Sequence, residues 1–145
     1  MDNNYNFKDF EAYPFRSNYD VNNSISLGTT FTSNNLIIAA GLNWHSGKPT
    51  TDVVMGNEIV DGEINYDEPN MATLPDYLRL DVSALYNLNL SPKTNANIGV
   101  SIWNILNKEN IINNYYRIVD DGRINEIRQE SLGLTPNVVL RVFFN

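Results

Sequence analysis

The chain has no cysteine, a single histidine and no cluster of lysine or arginine. Without cysteine there are no disulfides, thiolate zinc sites or thiol nucleophiles. His45 has no second imidazole to help it hold a transition metal, so it reads as a wall residue near a strand end. The ten basic residues are scattered among seventeen acidic ones, for a formal net charge of −7, which argues against nucleic acid as a partner. No apolar run reaches the length of about 18 residues that a membrane-spanning helix needs. A glycine-rich phosphate loop and a Gly-x-Ser-x-Gly elbow are also missing. The acids lie in polar loops, without the apolar surroundings that would tune one as a general acid. The expectation is a protein that is not an enzyme and carries no cofactor.

At 145 residues the chain is the size of one domain. With 42% hydrophobic residues, 19% charged residues and a mean hydropathy of −0.33, it is too polar for a helical membrane protein. Those figures remain compatible with a membrane β-barrel, whose strands are polar at every second residue. Asn, Tyr, Thr, Ile and Val recur between breakers, which favours strands.

Alternation defines the strands. From Asp20 to Ser33, Val21, Ile25, Leu27 and Phe31 share one face, and small polar residues share the other. Ser33-Asn34-Asn35 is a tight turn. From Leu36 to His45, Leu36, Ile38, Ala40, Leu42 and Trp44 form an apolar ridge. Tyr77 to Leu90 carries Leu78, Leu80, Val82, Ala84, Tyr86, Leu88 and Leu90 on one face, against Arg79, Asp81, Ser83, Leu85, Asn87 and Asn89. After a turn over 91–95, Ala96 to Trp103 sets Ile98, Val100 and Ile102 against Asn97, Gly99 and Ser101. Within 104–137, Asp120-Asp121-Gly122-Arg123 joins two short strands as a projecting hairpin.

The last strand carries Val138, Leu140, Val142 and Phe144 on one side. Soluble domains rarely finish on such a ridge, because chain ends tend to be polar. A barrel's closing strand faces lipid and has an aromatic at the membrane boundary. The connections alternate: short at 33–35, long at 46–76, short at 91–95, long at 104–137. That is the pattern of periplasmic turns and extracellular loops. About ten residues at about 3.3 Å each cross an apolar band of about 25 Å when tilted by about 45°. The fold expected is all-β, an antiparallel transmembrane β-barrel segment of about five to six strands; that it is part of a larger barrel is what the resemblance described below implies. Phe31, Trp44 and Tyr86 are candidate interfacial aromatics. Arg79, Asp81, Ser83, Asn87 and Arg141 are candidate lumen-facing residues, with Arg79 and Asp81 as a charge pair. Asp61, Glu63, Asn65, Asp67 and Glu68 miss the EF-hand spacing and read as a solvated acidic loop rather than a calcium site. The competing architecture is a soluble β-sandwich, whose strands also alternate, binding carbohydrate or protein through Tyr/Asn/Trp-rich loops. A third is a small barrel made by oligomerisation.

Three segments carry a resemblance to a known family. Leu74-Pro75-Asp76-Tyr77-Leu78-Arg79-Leu80-Asp81-Val82-Ser83 is the most specific. Asn43-Trp44-His45-Ser46-Gly47-Lys48-Pro49-Thr50 and Ser101-Ile102-Trp103-Asn104-Ile105-Leu106-Asn107-Lys108-Glu109-Asn110 accompany it, with Tyr13-Pro14-Phe15-Arg16 before the first strand. Together they resemble the TonB-dependent receptors of Gram-negative outer membranes, of the Bacteroidetes type. The likeness runs from about Tyr13 onward and matches the last five strands or so of a barrel of about 22.

The resemblance implies active uptake of a siderophore–iron complex, cobalamin, a glycan or a peptide. Residues 1–145 would be the C-terminal part of the barrel, in the cell outer membrane. Its partners would be outer-membrane lipid, the remaining strands or a split partner chain, and the barrel-assembly machinery, which would read Val138, Leu140, Val142 and Phe144. The TonB complex would be reached only through a plug region not among these residues. Met1-Asp2-Asn3-Asn4-Tyr5-Asn6-Phe7 lacks the basic and apolar regions of a secretory signal, so a leader and preceding domains are expected upstream.

Overall fold

A computed structural model describes residues 4–5 and 15–144; Tyr13, Pro14 and Asn145 lie outside them. Every regular element among the described residues is a strand, in keeping with the all-β expectation. In chain order these are β1 (Asn4–Tyr5), β2 (Phe15–Arg16), β3 (Ser24–Ser33), β4 (Leu36–His45), β5 (Pro49–Thr50), β6 (Ile59–Val60) and β7 (Glu63–Ile64). There follow β8 (Ala72–Thr73), β9 (Tyr77–Ser91), β10 (Thr94–Trp103), β11 (Ile111–Ile118), β12 (Ile124–Glu130) and β13 (Thr135–Phe144). They fall into two compact units. One is the sheet unit, Ile25–Trp44, Leu78–Glu109 and Leu132 onward; the other is a loop unit of residues up to 24, His45–Tyr77 and Asn110–Ser131.

The sheet unit holds a five-stranded sheet in the order β13-β10-β9-β4-β3. Asn34 and Asn35 join β3 to β4, and Asn34 takes a φ of 45°, the left-handed region that Asn tolerates. Asn87 N–H donates to the Asn35 carbonyl at 2.8 Å, while at the other end of the same strands His45 stacks on Tyr77. β4 and β9 therefore run antiparallel. β9 and β10 pair antiparallel from Asn89↔Asn95 to Val82↔Ile102, and β10 and β13 from Thr94↔Phe144 to Trp103↔Thr135. The turn expected over 91–95 is tighter: Pro92 and Lys93 alone turn the chain, and a register shift beside Thr94 leaves Leu90 unmatched as a bulge.

These registers align the ridges. Val138, Val100 and Ala84 lie in one row, and Leu140, Ile98 and Tyr86 in the next. Ser26 Oγ donates to Asn43 Oδ1 at 3.0 Å, so the small polar face of β3 meets the odd-numbered face of β4. The sheet thus carries most of its apolar residues on one side, while the other is mainly small or polar with Leu85, Trp103, Val139 and Phe143 among it.

The strands are also offset along their length. Asn87 stands opposite Asn35 in the first turn, yet β9 continues to Ser91 before turning. The difference, 91 − 87, is four residues, roughly 14 Å at about 3.4 Å each.

Three expectations need correction. The first strand begins at Ser24 rather than Asp20, so Val21 is not on the ridge. Asp20 is instead buried, held by Arg16 at 3.1 Å and by its own N–H to the Ser17 carbonyl. Ala96 has the even-numbered parity of Ile98, Val100 and Ile102 and is expected to face outward with them, yet it is buried, because its short side chain lies in a row between the longer Leu88 and Val142. The stretch 46–76 is not featureless: β5 pairs with β8, β6 pairs with β7 around Asp61-Gly62, and Val53 bridges to Tyr66. Asp61 (φ 53°) and Gly62 (φ 82°) have the two positive φ values of a primed hairpin turn.

Candidate functional site

The faces of the five-stranded sheet place the candidate residues. Arg79, Asp81, Ser83 and Asn87 share the polar face of β9, and Arg141 shares it from β13, where Asn97 stands between Asn87 and Arg141. Leu85 and Val139 flank Gly99 on that face, an apolar island within it. On the opposite face Val138 is 79% exposed, Leu140 65% and Phe144 82%, and Phe31 and Tyr86 are also exposed. Trp44, at the far end of β4, is half-buried. Leu74 and Ala96 are the buried hydrophobic residues among those described.

The necks of the two long connections are built from the three segments singled out in the sequence. In the loop unit, Gly47 lies so close to the Leu74 backbone that a Cβ would stand 1.6 Å from the Leu74 carbonyl oxygen. Only glycine fits there. Gly47 N–H donates to Asp76 Oδ1 at 3.1 Å, and Leu74 N–H to the Lys48 carbonyl at 2.9 Å. Pro49 is buried in the same place, and β5 pairs through it with β8. Beside this latch His45 stacks on Tyr77 at 4.9 Å and 7°, with Nδ1–H donating to the Ser46 carbonyl at 2.8 Å. The Gly-x-Pro and Leu-Pro-x-Tyr segments are thus the two sides of one closure.

In the sheet unit, Arg79 forms a forked ion pair with Asp81, from Nε at 2.8 and 2.9 Å and from a terminal nitrogen at 2.6 Å. Its guanidinium lies 5.5 Å from the Trp103 ring centroid. Asp81 also accepts the Asn104 N–H at 2.9 Å. Asn104 is wholly buried and in the left-handed region, φ 50°. Its amide donates to the Lys108 and Leu132 carbonyls at 2.9 and 3.1 Å, and its oxygen accepts the Lys108 N–H at 3.2 Å. Asn107, at φ 48°, accepts the Leu134 N–H at 2.9 Å. One polar side chain thereby ties the end of β10 to the approach to β13. A buried amide with its bonds made is stable, whereas any truncation strands its partners.

Away from the necks, the loop unit gathers residues that the sequence left apart. Tyr116 Oη donates to Asp52 Oδ1 at 2.7 Å, and Tyr66 meets Tyr116 edge-to-face at 6.2 Å. Thr50 Oγ1 donates to Asn114 Oδ1. Burial, followed by the Asp52 contact, pushes the Tyr116 hydroxyl far above its ordinary value, so it stays neutral. On β12, Arg128 holds Glu126 at 2.9 Å and draws its carboxyl below the usual range. These partners are 64 residues apart in two cases, and no local pattern reports them. The Asp61-Gly62 pair between Ile-Val and Glu-Ile was a hairpin signal that the reading as a plain acidic loop passed over.

No group of three or more metal-ligating side chains converges among the described residues. Comparison with protein-family models, curated proteins and solved structures finds no match.

Proposed function

We propose that the five-stranded sheet is a stretch of outer-membrane β-barrel wall and that the chain belongs to a TonB-dependent receptor for active nutrient uptake. The observation that carries this reading is the exposure of an apolar face kept in register across the sheet, with a mainly small and polar reverse. Facing water, each such side chain would forgo about 1.5–3 kcal/mol of burial. Among the described residues only two hydrophobic ones are buried, which does not offset the ordering of a chain at about 1–2 kcal/mol per residue for the backbone alone. Facing hydrocarbon, the same ridge is in its proper solvent. A water-borne sandwich would cover this face with a second sheet, and the exposure of Val138, Leu140 and Phe144 weighs against it.

Two further features support the reading. Strands in a barrel tilt, so successive hairpins must be staggered, as the overshoot of the β9–β10 turn is. Both long connections leave one end of the sheet, and two-residue turns close the other. The sheet has free edges at β3 and β13, which in lipid would leave unpaired backbone groups at several kcal/mol each. Further strands, from the same protein or another copy, must meet them. In this reading the wall is rigid, the latches hold the long loops, and the loops capture ligand for a plug to release inward.

Fractionation of the native protein is the test. Recovery in wash-resistant outer membrane, with release only by detergent, is expected. A soluble monomer obtained without detergent overturns the proposal.

A further inference from the structure

The loop unit holds an open cleft of about 650 Å³, with Val53, Glu58 and Ile59 on one side and Tyr116, Ile124 and Glu126 on the other. We propose that this cleft captures a cation carried on an apolar stem, an ammonium or guanidinium group. The inference rests on reading these loops as ligand-capturing elements, and it adds the chemical class of what they take.

The walls divide into two chemistries. Val53, Ile59 and Ile124 offer apolar surface to a stem, and Tyr116 adds an aromatic ring to the wall, a group that attracts cations. The charge balance then selects the sign. Arg123 also lines the cleft, but Asp121 grips it, at 2.5 Å from a terminal nitrogen and 2.8 Å from Nε. Glu126 is answered by Arg128. Glu58 and Asp52 are answered by neither: no basic side chain among the described residues forms an ion pair with them. Glu58 Oε1 is fixed by the Gly56 N–H at 2.8 Å, and Asp52 stands behind Tyr116, accepting its hydroxyl. The surrounding field has the same sign, since residues 46–76 hold seven acids and one lysine. An anionic ligand would meet the uncompensated Glu58 carboxylate in the wall, with Asp52 behind Tyr116 adding charge of the same sign; a cation supplies what the cleft lacks.

The ammonium or guanidinium could arrive on a peptide or on a small polyamine, and three probes separate these sources. The full chain in detergent micelles is titrated calorimetrically with tri-arginine peptide, with its neutral tri-citrulline isostere and with spermidine. Binding of either cation without binding of the isostere is expected, and the one that binds tighter names the source. Glu58→Gln should weaken it about fivefold, the range of one exposed ion pair. Glu68→Gln, which removes an equal charge from the same loop outside the cleft, should leave affinity unchanged. Equal binding of the citrulline peptide, or equal loss from both substitutions, overturns the proposal. Glu58 is half-buried, and the Gly56 N–H that its carboxylate accepts can equally be accepted by a glutamine oxygen, so Glu58→Gln is expected to leave folding intact. The fractionation test reads the membrane assignment separately, whatever this titration gives.

Discussion

Asn104 shows how much can rest on one side chain. It is wholly buried, makes three hydrogen bonds and occupies a backbone region that β-carbons resist. Asn104→Ala should cost about 3 kcal/mol, because buried partners lose their bonds. Asn104→Gly should cost about 1 kcal/mol less, because glycine carries no penalty at positive φ. Denaturant titration of the refolded protein checks both, and equal costs would mean that backbone strain plays no part. Gly47→Ala is a different kind of lesion. Its Cβ would collide with backbone, which no rotamer change relieves, so a loss of about 2 kcal/mol or more is expected. The readout is faster proteolysis within 46–76, since the latch to Leu74 and Asp76 opens.

At the scale of elements, the β11–β12 hairpin is held by charge as well as by its ladder. The Arg128 guanidinium, acting first by hydrogen bond and against some desolvation, lowers the Glu126 carboxyl below its ordinary 4.5. A carboxyl lowered in the folded state contributes its stability fully above the unfolded value and loses it as pH falls through the folded one. The hairpin should therefore be indifferent to pH from 7 to about 5 and loosen progressively below the ordinary carboxylate range. Glu126→Gln should abolish that acid dependence while leaving neutral-pH structure nearly unchanged, because an exposed ion pair is worth only about 0–1 kcal/mol. Amide exchange of Tyr116 and Arg128 across pH 3–7 is the measurement, and persistence of the acid transition in the variant would assign it to another group.

For the molecule as a whole, the decisive contrast is between the two faces of the sheet. Val100→Arg and Leu80→Arg, on the apolar face, should each cost about 2–4 kcal/mol of stability in lipid. Ser83→Arg, on the polar face in register with Ser101, should cost much less. Folding into vesicles, followed by resistance to denaturant, measures all three. Equal costs on both faces would contradict a one-sided lipid contact. In water without detergent, the open edges of β3 and β13 with their apolar face predict aggregation rather than a stable monomer.

The sequence by itself determined the strand faces and most strand bounds, because alternation is a local property of two-residue period. It also determined the Asp121-Gly122 hairpin, the tight turn at Asn34-Asn35 and the pairing of Arg79 with Asp81, all within a few residues of each other. Only the tertiary structure decided that the ridges of β9, β10 and β13 fall in the same rows, since register depends on partners distant in the chain. It likewise decided that Gly47 closes on Leu74, that Asn104 reaches Leu132, and that Tyr116 meets Asp52 across 64 residues. Those contacts are hydrogen bonds and close approaches between segments with no shared periodicity. Their physical cause is satisfaction of buried polar groups, which becomes defined only when the chain has brought both partners together.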